Sequence, residues 1–164
     1  MSWSESELVA HARRAFRGSN SIEIIAIDPV GANYPDTPLI VHDPLRTEKG
    51  QEGSIRPDFV IRFDGHLILI QAKDEWNDEL DGDMVKLQRI LDDDSWYEAL
   101  RLALSHRNEG MGELVLGAML PAGSGYESDE DVLLFEVDED GDVLVTTSSP
   151  ELDKLANELN ADFR

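Results

Sequence analysis

The chain contains no cysteine, which excludes a disulfide framework and a thiolate metal site. No apolar run approaches the ~20 residues of a membrane-spanning helix, and the N-terminus lacks the basic-then-apolar pattern of a signal peptide. A glycine-rich phosphate loop, a nucleophile elbow and a zinc-ligand spacing are also missing. These absences predict a soluble cytoplasmic protein with no membrane partner.

Positive charge is scarce. Lys and Arg together number 14 against 35 Asp and Glu, the net charge is −21, and only four of the basic residues are lysine. Such a field repels nucleic acid at low salt. One explanation is an acidic interaction protein or a mimic of nucleic acid. The other is a halophilic protein, because the Debye length falls to ~3 Å at 1 M salt. The dispersed acids and the preference for arginine over lysine favour the halophilic explanation.

The apolar residues, 41% of the chain, are spread along all 164 residues and predict a single domain. Its core spans about residues 4–120, and a peripheral hairpin and helix occupy 131–160. Strands mixed with helices around one antiparallel hairpin predict an α/β fold with a mixed sheet flanked by helices. The predicted elements are helix 2–17, strands 21–28, 59–63 and 67–70, helices 83–91 and 96–106, strands 113–120, 131–137 and 142–147, and a helix from 149.

The stretch Arg56–Lys73 predicts a hairpin around Asp64-Gly65, since a type I′ turn needs positive φ at both central residues. Asp58 and Gln71 are roughly equidistant from that turn and should lie close together. Alternate residues of a strand share a face, so Gln71 and Lys73 point the same way. A long loop before the hairpin leads directly to Asp58. The hairpin therefore gathers an acid, an amide and a lysine at one end.

These groups suit a metal-and-phosphate site. Asp58, the Gln71 amide and the Ala72 backbone carbonyl offer the oxygen ligands that Mg²⁺ prefers, and Glu5 can complete the shell from the buried side of the first helix. Lys73 beside a metal would orient the attacking water or neutralise charge on the phosphate. The alternative is structural: a turn acid, an ordinary amide, a solvated lysine and a first-turn acid that complements the helix dipole.

The order helix, strand, Pro57-Asp58 strand, hairpin, Gln71-Ala72-Lys73, helix and strand resembles the PD-(D/E)xK nuclease superfamily. Glu5 looks like the first-helix glutamate of its archaeal Holliday-junction resolvase branch. The resemblance implies a restriction-endonuclease-like αβββαβ core and a Mg²⁺- or Mn²⁺-dependent endonuclease that acts on DNA in restriction or repair. It implies that Asp58 is the principal metal ligand, Lys73 the catalytic lysine and Glu5 an auxiliary acid. Resolvase-like relatives act as dimers, which makes a homodimer possible.

The chain departs from that family at Gln71, where an Asp or Glu is usual. Losing a carboxylate weakens divalent-metal binding unless an acid such as Asp83 or Glu98 enters from the following helices. For Asp83 itself, a helix N-cap on a solvated face is the favoured interpretation. The alternative function is a catalytically inactive member that serves as an acidic interaction or defence accessory protein.

Two further groups are weaker candidates. The aromatic residues Trp76, Trp96 and Tyr97 follow the hairpin, and core packing is favoured over stacking on a base. The acidic run Asp138–Asp142 resembles a calcium loop but lacks the downstream glutamate, so a hairpin turn is predicted there.

Overall fold

The computed structural model describes residues 3–28, 38–44, 54–128 and 130–163. Six strands form one mixed sheet whose strand order follows the chain order. The elements are α1 (Glu5–Gly18), β1 (Glu23–Ile27), β2 (Phe59–Phe63), β3 (His66–Ala72), α2 (Asp78–Asp92), α3 (Asp94–Ser105), β4 (Glu113–Pro121), β5 (Val132–Val137), β6 (Val143–Thr147), a 3-10 turn (Pro150–Leu152) and α4 (Asp153–Asp162). Within these ranges no helix is long and apolar enough to cross a membrane.

The sheet combines both kinds of strand pairing. β1, β2 and β3 form an antiparallel meander, β3–β4 and β4–β5 are parallel, and β5–β6 is an antiparallel hairpin. The C-terminal hairpin thus continues the central sheet. The predicted α/β class with a mixed sheet is confirmed.

Helices cover both faces of the sheet, because the central strands carry apolar side chains on both faces. Strand β3 is the example. Its residues alternate between faces, so Ile68 and Ile70 pack with α1 and α4, while Leu67 and Leu69 pack with α2 and α3. All four side chains are fully buried. An unbroken apolar run is what a strand needs when it is buried on both faces.

The helix starts follow local capping. The helix predicted from residue 2 begins at Glu5, where a capping box is present: the Glu7 N–H donates to Ser4 Oγ (3.2 Å), and the Ser4 N–H donates to Glu7 Oε1 (3.4 Å). The predicted start of α2, at Asp83, is wrong by five residues, because the helix begins at Asp78. Asn77 is its N-cap and accepts the Leu80 N–H at 3.0 Å.

The central hairpin has the predicted turn. The φ angles of Asp64 and Gly65 are 48° and 78°, both positive as a type I′ turn requires. The register runs from Phe63 opposite His66 to Phe59 opposite Ile70. It brings the residues just before β2 next to the end of β3.

Most of the long loop predicted between β1 and β2 lies outside the described residues. In its described part, Val41 and Ile55 form an isolated antiparallel bridge, and the Val41 N–H donates to the Ile55 carbonyl at 2.8 Å. This bridge anchors the chain shortly before Asp58.

Gly117 in β4 should be intolerant of a side chain. A Cβ there would lie 2.9 Å from Phe135 Cε2 and 3.1 Å from Ile70 Cγ1, both in buried side chains. We expect Gly117→Ala to lower the free energy of unfolding by about 1–3 kcal/mol in urea titrations, because the packed core must shift. Gly82→Ala is the control: nothing lies within 4 Å of that Cβ, so alanine in α2 should be neutral or stabilise by up to about 1 kcal/mol. Equal effects at both positions would contradict this account.

Candidate metal and catalytic site

Asp58 lies at the entrance to β2 and is buried, with 9% of its surface exposed. Its Oδ2 accepts the Ala72 N–H at 2.7 Å, so the carboxylate closes the end of the β2–β3 ladder. Its backbone carbonyl accepts the Asp28 N–H at 2.9 Å, which ties it to the end of β1. Asp58 therefore has a fixed position between three strands.

Pro57 explains why the ladder ends there. In an antiparallel pair every second pair of residues exchanges backbone hydrogen bonds. Continuing the register from the Asp64-Gly65 turn places Pro57 opposite Ala72 in such a pair. Pro57 has no N–H to donate to the Ala72 carbonyl, and the Ala72 N–H goes to the Asp58 side chain. The Ala72 carbonyl therefore points towards the segment that contains Asp58 and receives no hydrogen bond from Pro57. It remains a candidate ligand for a metal ion.

Gln71 is also buried, with 6% of its surface exposed. Its Nε2 donates to the Arg56 carbonyl at 3.2 Å, which fixes the amide against the segment that leads into Asp58. Of the two amide atoms only the oxygen can bind a metal ion. The hydrogen bond to Arg56 uses the nitrogen, so the oxygen is not occupied by that bond. A glutamate here would place a carboxylate oxygen against the Arg56 carbonyl.

Lys73 follows β3 directly, and its N–H donates to the Met119 carbonyl of β4 at 3.0 Å. Its Nζ lies 2.9 Å from Glu79 Oε2 and 3.8 Å from Glu5 Oε2, so it bridges α1 and α2. The hydrogen bond to Glu79 raises the pKa of Lys73 above its usual value, although burial opposes this. Lys73 is a cation at neutral pH.

Three carboxyl groups here have raised pKa values. The pKa of Asp58 is raised to about 7: burial is the main cause, the hydrogen bond from the Ala72 N–H opposes it, and the charges of Glu5, Asp28 and Asp83 add to it. Burial likewise raises the pKa of Glu5, and Lys73 partly offsets the effect. Burial raises the pKa of Asp83, with Lys86 and Lys73 opposing. These acids share one electrostatic environment that favours binding of a cation.

The predicted residues therefore come together in part. Asp58 contacts Ala72, Lys73 approaches Glu5, and the charge of Glu5 acts on Asp58. Of the two acids considered as replacements for the missing carboxylate, Asp83 lies in this environment. Glu98 instead pairs with Arg101 on α3.

Two neighbours of the site were not predicted from the sequence. Glu79 holds Lys73, but it precedes the predicted start of α2 at Asp83. Asp28 was identified only as the end of β1, yet its charge raises the pKa of Asp58. The signal that could have identified Glu79 was the Asn77 cap with Leu80 three residues on, which places Glu79 in the first turn of α2.

The donor set fits a hard divalent cation by its chemistry: carboxylates, an amide oxygen and a backbone carbonyl. The acids are not preassembled as a tight cluster. Among the described residues, the one group of three His, Asp or Glu ligand atoms within 4.8 Å of one another is Asp138, Asp140 and Asp142. That group is exposed, and Asp138 Oδ1 accepts the N–H groups of Asp140 and Asp142, each at 2.9 Å. Those are the hydrogen bonds of the predicted hairpin turn.

The aromatic residues divide into two groups. Trp96 is buried in the core between the sheet and α2–α3, as predicted. The prediction of core packing is wrong for Trp76 and Tyr97, because each of these side chains is 40% exposed. Trp76 packs edge-on against Tyr126 instead.

Comparison with known proteins found no relative of this chain. No family model, no curated protein and no solved structure matches this chain.

Proposed function

We propose that this protein is a Mg²⁺- or Mn²⁺-dependent nuclease that hydrolyses DNA phosphodiester bonds, of the PD-(D/E)xK type. The observation that carries the proposal is the buried Asp58 carboxyl group, which is coupled to the charges of Glu5 and Asp83, while Glu5 itself lies 3.8 Å from the Lys73 ammonium. Burying an acid among other acids is costly unless a cation offsets the repulsion. A structural role for Asp58 would be better served by an uncharged side chain.

Each residue has a role in this proposal. Asp58, Glu5 and the oxygens of Gln71 and Ala72 would hold the metal. When bound, the metal supplies Lewis-acid polarisation of the phosphodiester and a water of lowered pKa. Lys73 orients the attacking water and stabilises the negative charge that develops on the phosphate.

The arrangement of elements supports the same assignment. The N-terminal order is α1, β1, β2, β3, two helices and β4, with the candidate residues at one end of β2 and β3. The resemblance implies αβββαβ, and this chain has two helices, α2 and α3, in place of the single helix after β3. Pro57 ends the ladder where it offers no donor to the Ala72 carbonyl. The DNA partner follows from the same resemblance.

A second function is favoured by charge. At −21 the chain repels a polyanion at low salt, which suits an inactive acidic interaction or defence accessory protein. Plasmid, single-stranded and branched DNA incubated with Mg²⁺ or Mn²⁺, from low salt to molar KCl, separate the two functions. We expect metal-dependent cleavage that strengthens with salt, because screening removes the repulsion. No cleavage at any salt would favour the interaction protein.

Asp83 should act as the acid that compensates for Gln71. We expect Asp83→Asn to raise the Mg²⁺ concentration for half-maximal cleavage by about tenfold, because the site loses a negative charge. Adding Gln71→Glu to that variant should restore metal affinity, at the cost of repulsion from the Arg56 carbonyl. The measurement is a Mg²⁺ titration of the cleavage rate.

Glu98→Gln is the matched control, since Glu98 pairs with Arg101 away from the site. It should leave the Mg²⁺ titration unchanged. If Gln71→Glu alone raises cleavage at saturating Mg²⁺, the natural amide impairs the site and Asp83 does not compensate for it.

A further inference from the structure

A groove of about 750 Å³ lies between α2 and the chain that connects β4 to β5. These strands are parallel, so the chain must travel back along the sheet between them. Such connections usually contain a helix, but the described part of residues 122–131 has none. Among the described residues, this return segment therefore lies beside α2 at the place where a crossover helix is usual.

The groove has an apolar floor and an aromatic corner. Met84, Leu116 and Val132 line its floor and are buried, while Val85 is 58% exposed at its edge. The rings of Trp76 and Tyr126 have centroids 5.3 Å apart at an interplanar angle of 70°. The resulting corner offers ring faces and edges to a ligand.

Trp76 is held in place although it is exposed. Its Nε1 donates to Asp81 Oδ1 at 2.8 Å, so the indole is tethered to α2. An exposed indole that is fixed by a carboxylate loses little conformational entropy when a ligand binds on it. A fixed aromatic face with a carboxylate beside it is well suited to an organic cation.

The charge around the groove points to the same ligand. Among the described residues that line it, Arg89 is the one cation against five acids: Asp81, Asp92, Asp93, Glu127 and Glu130. This charge repels a nucleic acid backbone and attracts lysine or arginine. Apolar floor, aromatic corner and acidic rim together match an amphipathic basic segment.

We propose that this groove docks a protein partner through a segment in which arginine or lysine alternates with apolar side chains. A cationic group lies against Trp76 and Tyr126, and an apolar neighbour covers Val85. This inference is independent of the proposed nuclease function. It gives part of the acidity of the chain a role in binding.

The test is calorimetry with a dodecapeptide of alternating arginine and leucine as the probe, at low and moderate salt. We expect saturable binding that Trp76→Ala weakens by about tenfold, since cation–π contact and apolar area are both lost. The double variant Glu127→Gln/Glu130→Gln should weaken binding at low salt and flatten its salt dependence. A peptide with citrulline in place of arginine should bind at least about fivefold more weakly.

Two matched controls separate the groove from general acidity. Tyr97→Ala removes an equally exposed aromatic ring on α3, outside the groove. Glu139→Gln/Glu151→Gln makes the same charge change at exposed positions elsewhere. Both should bind the arginine peptide as the parent does, and circular dichroism checks that every variant folds.

Three outcomes would overturn the proposal. One is equal loss of binding in the groove and control variants, which would mean attraction to the surface at large. Another is equal binding of the citrulline peptide, which would mean apolar docking alone. The last is Trp76-dependent binding of an oligothymidylate that exceeds binding of the arginine peptide, which would make the corner a base-stacking site.

Discussion

Replacing Asp58 with asparagine should abolish metal-dependent DNA cleavage and at the same time stabilise the metal-free protein at alkaline pH. Cleavage should fall by at least about a thousandfold, because the residue that we propose as the principal metal ligand is lost. The stabilisation follows from the raised pKa of Asp58, about 7 in the folded chain against 3.8 for the unperturbed carboxyl. The substitution removes a charge that the folded state buries at a cost.

The sign of the pH dependence follows from proton binding. Between about pH 4 and 7 the folded protein holds a proton on Asp58 that the unfolded chain has lost. The stability from this group is therefore fully present below the unfolded pKa and is lost as the pH rises through about 7. The upper bound is about 4 kcal/mol for a pKa that rises from 3.8 to about 7. The introduced asparagine must also satisfy its amide N–H groups, so we expect a net gain of about 1–3 kcal/mol at about pH 8.

Thermal unfolding in a chelator at about pH 5 and pH 8 measures this effect. The melting temperature of the parent should fall more between pH 5 and pH 8 than that of the Asp58→Asn variant. Added Mg²⁺ should stabilise the parent at pH 8 and leave the variant unchanged. Asp64→Asn is the matched control: it makes the same chemical change in an exposed turn whose positive φ asparagine tolerates. A lower melting temperature for Asp58→Asn at pH 8 without metal would refute the argument.

Replacing Lys73 with alanine should slow cleavage by about 10²–10⁴-fold at saturating metal, because the cation that orients water and offsets phosphate charge is lost. Metal binding should survive, since Lys73 is not a ligand. Single-turnover cleavage and calorimetric Mg²⁺ titration separate these effects. Loss of metal binding together with cleavage would assign Lys73 a structural role between Glu5 and Glu79.

Two further variants make this test specific. Lys154→Ala removes an exposed lysine from α4, outside the candidate site, and should leave cleavage nearly unchanged. Glu79→Gln removes the exposed carboxylate that holds Lys73. An exposed ion pair contributes little, so its removal should change the rate by no more than about threefold. Cleavage that survives both Asp58→Ala and Lys73→Ala would come from a contaminating nuclease.

Local patterns in the sequence predict much of the fold. The turn at Asp64-Gly65 sets the hairpin register, so counting residues was enough to place Asp58 beside the end of β3. The capping box at Ser4 marks the start of α1 at Glu5, three residues after the predicted start. Each of these features depends on residues close together in the chain, and the local sequence determines them.

Features that depend on the packing of distant segments could not be predicted. The contact between Trp76 and Tyr126 joins segments separated by α2, α3 and β4. The charge of Asp83 reaches Asp58 only because α2 packs against the end of β3. The Gln71–Arg56 hydrogen bond depends on the amide orientation, which a strand pattern does not specify. The sequence therefore identified the candidate residues, but it could not identify the residues that they contact in the folded chain.

The match between strand order and chain order has a consequence for synthesis on the ribosome. Every strand after the first pairs with the strand made just before it, so no strand must wait for a later one to fill a gap in the sheet. Glu5, Asp58, Lys73 and Asp83 all precede β4, whereas Tyr126 and the return segment follow it. We therefore expect the reactive groups to meet while the chain is still growing, since folding proceeds from the N-terminus. The docking groove is completed afterwards, when the C-terminal half joins the sheet.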